Sequence, residues 1–251
     1  MSTFFAVLLL AATVFMVGGL VRKIRQYSTT PAPLKIPTTP APRTTGGVVL
    51  RMAKEVIFFA ALFRASKWTW IFGWMFHASL LLAFARHLRY VITPDGPLAF
   101  IYPLISLELV QSGGRYAGIA MVVGLLGLLA RRIFVARVRY ISAPSDYLML
   151  ILLMLIAFSG LIMSFVTHVD IMQVQAFALG IFSFDFQALP DSNPLMVHLG
   201  LVALLAFVLP VSKLLHIPGV FFSPARNQVD NSREKRHISA WAKKLDETRS
   251  S

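Results

Sequence analysis

The sequence contains no cysteine among its 251 residues. That excludes disulfides, iron–sulfur clusters ligated by this chain and thiol catalysis. It also excludes covalently attached haem c, which needs a CxxCH motif. Metal chemistry therefore falls to His, Met, Asp or Glu. Charge is scarce too: charged residues make up 14% of the chain and hydrophobic ones 57%. A soluble domain carries about a quarter charged residues, so composition points to an integral membrane protein. Acids are the scarcer sign, with 11 Asp and Glu against 24 Lys and Arg, a net charge of +13. In a soluble chain that surplus would suggest nucleic acid. Here its distribution speaks for topology instead, and no nucleic-acid partner is expected.

Five segments are apolar and long enough to cross a bilayer, which takes about 20 helical residues. They cover residues 3–21, 68–92, 115–134, 147–168 and 194–215. The first has no positive region before it and Arg22, Lys23 and Arg25 behind it. It reads as a retained transmembrane helix rather than a cleaved signal. Lys and Arg are absent from 93–114 and 169–194, where the only charges are Asp95, Glu108, Asp170, Asp185 and Asp191. They gather in 22–67, in 131–146 (Arg131, Arg132, Arg137, Arg139) and from Lys213 onward. The positive-inside rule then puts the N-terminus outside and the C-terminus in the cytoplasm. Arg86 and Arg89, at the outer end of the second span, break that rule and need a partner.

TTPAP occurs twice, at Thr29–Pro33 and Thr38–Pro42. Proline at this density favours extended polyproline II. The segment is a plain spacer or a strap on a cytoplasmic partner. The following stretch, 48–68, mixes apolar and basic residues and reads as an amphipathic helix at the inner interface. Residues 183–194 read as an outer loop, and Asn193-Pro194 as the start of the fifth span. The expected organisation is a membrane domain over 1–217, with strap and amphipathic segment at 22–67, and a basic cytoplasmic tail over 218–251.

Four of the six histidines lie in two pairs. His77 and His87 are on the second span, His198 and His216 on the fifth. Ionisable residues inside a membrane span are costly and tend to be functional. One such histidine reads as an interhelical hydrogen bond; four in two pairs argue for more. The two spans run in opposite directions, so His87 is level with His198 and His77 with His216. Histidines facing each other across a bundle are what axial ligation of haem iron requires. Ten residues rise ~15 Å and eighteen ~27 Å. Eighteen residues are five helical turns and keep His198 and His216 on one face. The rises differ by ~12 Å, and Pro210, between the second pair, can kink the helix. Gly73, Ala78, Ser79, Gly200 and Ala203 leave room for a flat macrocycle, although ordinary small-residue packing gives the same pattern. Haem b carries two propionates, and Arg86 and Arg89 beside His87 are candidates to pair with them; snorkelling to headgroups is the alternative.

These spacings, ten and eighteen, resemble those of the cytochrome b subunit of respiratory nitrate reductase. The resemblance spans about residues 1–217. It implies an all-α integral membrane protein with five transmembrane helices, an outer N-terminus and two bis-histidine b haems. It pairs His77 with His216 for the cytoplasmic-side haem and His87 with His198 for the outer one. The stretches KEVIFFAALFRASKWTWIFGWMFHASLLLAFARHLRY (54–90) and KLLHIPGVFFSPARNQ (213–228) are more similar to the DsrM subfamily. These are the membrane cytochromes of a sulfite-reductase-associated complex. That similarity implies a bacterial inner-membrane subunit of dissimilatory sulfur metabolism. Electrons would pass between menaquinone or another quinone and a cytoplasmic iron–sulfur subunit resembling heterodisulfide reductase. The other implied partners are periplasmic multihaem cytochrome c and iron–sulfur subunits and a second quinone-interacting membrane subunit. The gamma subunit of a nitrate reductase is the alternative, and the longer segment at 22–67 departs from its pattern. In either case the chain is a subunit and not a complete enzyme.

His168, at the outer end of the fourth span with Asp170 nearby, is a candidate acceptor for a quinol proton; a solvated interfacial histidine is the plainer reading. His237 lies in the charged tail and is expected to be solvated or at a partner interface. Two rival classes remain. A proton-coupled transporter would use the histidines as a relay, but such proteins usually show internal repeats or broken helices, and neither is evident. A non-catalytic anchor would merely pack them.

Overall fold

Helix formation follows the apolar runs. The computed structural model describes residues 1–30, 37, 40–239, 242, 243, 245 and 248. Residues 31–36 and 38–39, which include parts of both TTPAP repeats of the expected strap, lie outside these. Among the described residues there are helices and no strands. The α-helices are α1 (Ser2–Thr29), α2 (Thr45–Phe58), α3 (Ala60–Ala65), α4 (Lys67–His87), α5 (Tyr102–Ile105), α6 (Glu108–Phe134), α7 (Ala136–Ile141), α8 (Pro144–Ile162), α9 (Ile171–Ser183), α10 (Asn193–Val208) and α11 (His216–Gly219). Short 3-10 or π turns extend α4, α8 and α10. With those extensions, five helices are long and apolar enough to cross a membrane: Ser2–Thr29, Lys67–Tyr90, Glu108–Phe134, Pro144–Thr167 and Asn193–Val211. All five expected spans are present. The third begins at Glu108, seven residues before the Arg115 expected as its start.

The chain divides into two units, Met1–Gly18 with Leu62–Lys213, and Gly19–Ala61 with Leu214–Ser251. In the first, α4 lies along α6, α6 against α8, and α8 against α10. Phe76, Met121, Leu125, Leu153 and Ala157 form the shared core. In lipid the hydrophobic effect does not drive helices together, so close approach has to come from small residues. Gly124 shows this: a Cβ there would sit 3.0 Å from the Phe72 carbonyl oxygen and 3.0 Å from the Phe76 nitrogen. α4 and α6 therefore meet backbone to backbone. α1 joins through Phe5 and Ala6, which pack on Phe177 and Ile181 of α9. The Leu189 N–H also donates to the Ser2 hydroxyl at 2.9 Å.

The outer loop expected at 183–194 lies at 184–192, and the stretch before it holds a helix, Ile171–Ser183. A local signal is present: Asp170 accepts from the Met172 and Gln173 N–H groups at 2.9 and 3.3 Å, an N-cap in front of an apolar run.

The expected single amphipathic helix over 48–68 is two helices. Phe59 takes the left-handed conformation, with φ 50° and ψ 48°. In the second unit the Glu55 carboxylate then accepts from the Ala61 N–H at 3.0 Å. That bond satisfies a donor in the first turn of α3. Ser66, accepting from Thr69 at 3.4 Å, restarts the chain as α4.

The fifth span also differs from expectation. It does not continue as a helix to Leu215. α10 ends at Val208, Leu209–Val211 is a 3-10 turn, and Ser212 is extended with ψ 175°. Pro210 has no N–H for the i−4 carbonyl and its ring crowds that turn, so it ends the helix rather than kinking it. The five-turn register between His198 and His216 is therefore lost. His216 instead opens the separate short helix α11.

Candidate metal centre

α4 carries His77 and His87 one above the other. Each uses Nδ1 to reach back one turn, His77 to the Gly73 carbonyl and His87 to the Ala83 carbonyl, both at 2.7 Å. A carbonyl can only accept, so in both rings Nδ1 carries a proton, and in the neutral ring Nε2 is the nitrogen left to bind a metal. This is the tautomer a metal ligand needs, fixed by a second contact. His198 enters from α10. It is buried, and its Nδ1 lies 2.9 Å from the Ser159 hydroxyl on α8. His87, by contrast, is exposed on the flank of α4.

The structure brings His87 and His198 together. Their ring centroids are 6.2 Å apart and their planes differ by 13°. Two imidazoles sharing one metal ion at about 2 Å from each nitrogen keep their centroids roughly 6 Å apart, so this pair has the separation a shared ion needs. Among the described residues no three His, Asp or Glu cluster around a common point. A metal here would take two protein ligands and draw its other donors from elsewhere, as the iron of a bis-histidine haem does. Gly160 faces His198: a Cβ there would stand 3.6 Å from Cε1, in ordinary van der Waals contact.

His77 is half-buried on α4 in the first unit. His216 is exposed at the start of α11 in the second.

The two arginines beside His87 are held by polar neighbours. Arg89 donates to Gln111 Oε1 at 3.2 Å and to the Tyr90 hydroxyl at 3.0 Å. Its carbonyl accepts from Gln175 of α9 at 2.7 Å. Its Nε is buried and has no hydrogen-bond partner among the described residues. A buried donor left unmet is costly and marks a place for an acceptor. Arg86 is packed against α6, where a Cβ on Gly114 would come within 2.8 Å of the Arg86 Cβ. Arg115 of α6 donates to the Ser164 carbonyl at 2.9 Å.

His168 is exposed, at the end of the π turn that extends α8, with φ 41° and ψ 101°. Asp170, expected beside it, has its carboxylate turned to the cap of α9. His237 bonds Asn231 through Nε2 at 2.7 Å.

One polar group carries a role that its sequence position does not announce. Asp146, in the first turn of α8, is buried. It pairs with Lys213 at 2.7 Å and Arg132 at 3.3 Å and accepts from the Ala143 N–H at 3.0 Å. It thus joins the end of α6, the start of α8 and the segment after α10. The available signal is an acid standing alone among the arginines of 131–146.

Comparison with known proteins gives the site a family context. A family described as "Nitrate reductase gamma subunit" matches residues 60–231. The chain is 32% identical to the "Hdr-like menaquinol oxidoreductase cytochrome b-like subunit" of Archaeoglobus fulgidus, over 92% of this chain and 81% of that one. It is 30% identical to the protein of the same description from Archaeoglobus profundus, over 95% and 82%. It is 36% identical to the "Nitrate reductase gamma chain" of Bacillus subtilis, over 36% and 42%.

Proposed function

Because this chain belongs to the nitrate reductase gamma subunit family, we propose that it is a dihaem cytochrome b that exchanges electrons between membrane quinol and a cytoplasmic iron–sulfur partner. The observation that carries this reading is the His87–His198 pair, 6.2 Å between centroids and nearly parallel. In this reading His87 and His198 hold the outer haem b, and His77 and His216 the cytoplasmic-side one. Arg86 and Arg89 face the propionates of the outer haem, and the unmet Nε of Arg89 supports that role. The N-terminus lies outside and the C-terminus inside, as Lys and Arg placement argues. The chain is a multi-pass membrane protein, and its membrane is the cytoplasmic one.

A haem held by these histidines would supply one-electron transfer. The protein does the rest. Gly73 and Ala83 hold the Nδ1 protons of His77 and His87, which selects the tautomer of the neutral ring that leaves Nε2 for iron and aims the rings. Phe76, Met121, Leu125 and Leu153 keep water from the space between the helices. Oxidation of a quinol releases protons together with electrons, and His168 is exposed at the end of the fourth span to take one up. The archaeal relatives are described as menaquinol oxidoreductase subunits, which supports menaquinol as the substrate and a heterodisulfide-reductase-like subunit as the cytoplasmic partner. Periplasmic haem and iron–sulfur subunits, a second membrane subunit and a place in sulfur metabolism complete the assignment. The reach of the similarity favours it over a nitrate reductase subunit, since the archaeal relatives match nearly the whole chain and the Bacillus one about a third.

The test is a reduced-minus-oxidised spectrum with pyridine haemochrome quantitation on the full chain, beside His87→Ala and His216→Ala. Two b haems in the parent and one in each variant are expected. A colourless protein from haem-replete cells would move the reading to a transporter or an anchor.

A further inference from the structure

The Nδ1 bonds of His77 and His87 both end on backbone carbonyls of their own helix. That of His198 ends on a side chain from another helix, Ser159. Ser159 and His198 are among the few buried polar residues, at 7% and 9% exposure. The serine hydroxyl has a single proton. It donates that proton to the Ile156 carbonyl at 3.0 Å. Its oxygen, 2.9 Å from Nδ1, is therefore left to accept. With Nδ1–H donating to that oxygen, Nε2 of the neutral ring is unprotonated, as an iron ligand requires. α10 supplies no such contact by itself, so α8 sets both the tautomer and the plane of this ring.

We propose that Ser159 is the positioning residue of the outer pair: its hydroxyl, anchored on Ile156, fixes the tautomer and plane of His198 and tunes the reduction potential of the haem that His87 and His198 hold. This rests on the dihaem reading above. The physical basis is donor strength. An acceptor on Nδ1–H draws the proton away, gives the imidazole more imidazolate character and favours ferric iron. Removing that acceptor weakens the ligand and raises the potential. It also removes the contact from α8 that holds the ring, which turns it out of its near-parallel plane.

The experiment compares Ser159→Ala and Ser159→Thr with the parent in the full chain. Haem content, potentiometric titration of both haems and the low-spin ferric EPR spectrum are read. Two haems are expected in every protein. In Ser159→Ala one midpoint potential rises, the other is unchanged, and one EPR signal moves towards the form given by non-parallel imidazoles. Ser159→Thr restores both values. Loss of one haem in Ser159→Ala with its retention in Ser159→Thr supports the same role. Unchanged or lowered potentials in Ser159→Ala overturn it, as does a threonine variant that behaves like the alanine one. A parent protein without haem would instead defeat the dihaem reading, so the two failures are distinguishable.

Discussion

His198 and Asp146 are both polar residues buried among apolar helices, yet they use their polar atoms differently. Asp146 directs its oxygens to Lys213, Arg132 and the Ala143 N–H, and its bonding capacity is taken up within the fold. His198 and its neighbour His87 engage Nδ1, to Ser159 and to Ala83, and keep the Nε2 lone pair for a ligand. A buried polar group with all its bonds made within the fold reads as structure. One held by half its bonds, beside a second group held the same way, reads as a site. Both are compatible with the membrane, since each removes a buried charge or donor from lipid.

That contrast is sharpest where substitutions separate function from stability. His198→Ala should remove one haem of two while leaving the helices in place, giving half the pyridine haemochrome per chain and an unchanged far-UV circular dichroism spectrum. Asp146→Ala should do the reverse. It strands Arg132, which is partly buried, and costs about 2–3 kcal/mol, less than a fully buried pair because both cations keep contact with solvent. Thermal denaturation in detergent, followed at the haem absorbance, reads this as a lowered Tm with full haem content beforehand. If Asp146→Ala loses haem without loss of stability, the distinction between the two sites collapses.

Gly124→Ala probes the scaffold that aligns the histidines. Its new Cβ meets the α4 backbone, and overpacking of this kind costs about 1–3 kcal/mol. The same melt should show a smaller drop in Tm than the aspartate variant. Lys213→Ala should have the smallest effect. Its side chain is 69% exposed, and an exposed ion pair is worth about 1 kcal/mol or less. A large loss there would mean that Lys213, not Arg132, carries the anchoring of Asp146.

Much of the architecture is legible in the order of the residues. Apolar length locates all five spans because crossing a bilayer demands about 20 consecutive residues with few charges, and that demand leaves little freedom. The histidines stand out for the same reason: an ionisable residue in a span is rare. The breaks are harder to read. Pro210 is visible, but whether a proline kinks a helix or ends it depends on what the freed carbonyls and the following residues can bond, and here Ser212 turns extended. The left-handed Phe59 has no signal at all, since glycine or asparagine is the residue expected there; a carboxylate four residues earlier, bonding the next helix, stabilises it. α9 is obscured by the acids around it, although its aspartate cap is present.

Composition and hydropathy, then, determined that this chain has five segments able to cross a membrane and that its second and fifth spans carry histidines. These are one-dimensional properties, set by the cost of placing charge and polar backbone in lipid. Only the tertiary structure decided that the rings of His87 and His198 lie 6.2 Å apart in near-parallel planes, that Ser159 holds one of them, and that Asp146 is a buried junction. Each of these depends on residues far apart in sequence meeting at 6.2 Å or less. Such meetings are fixed by how closely the helices approach, through glycines such as Gly124, and by where Pro210 lets the chain stop being a helix.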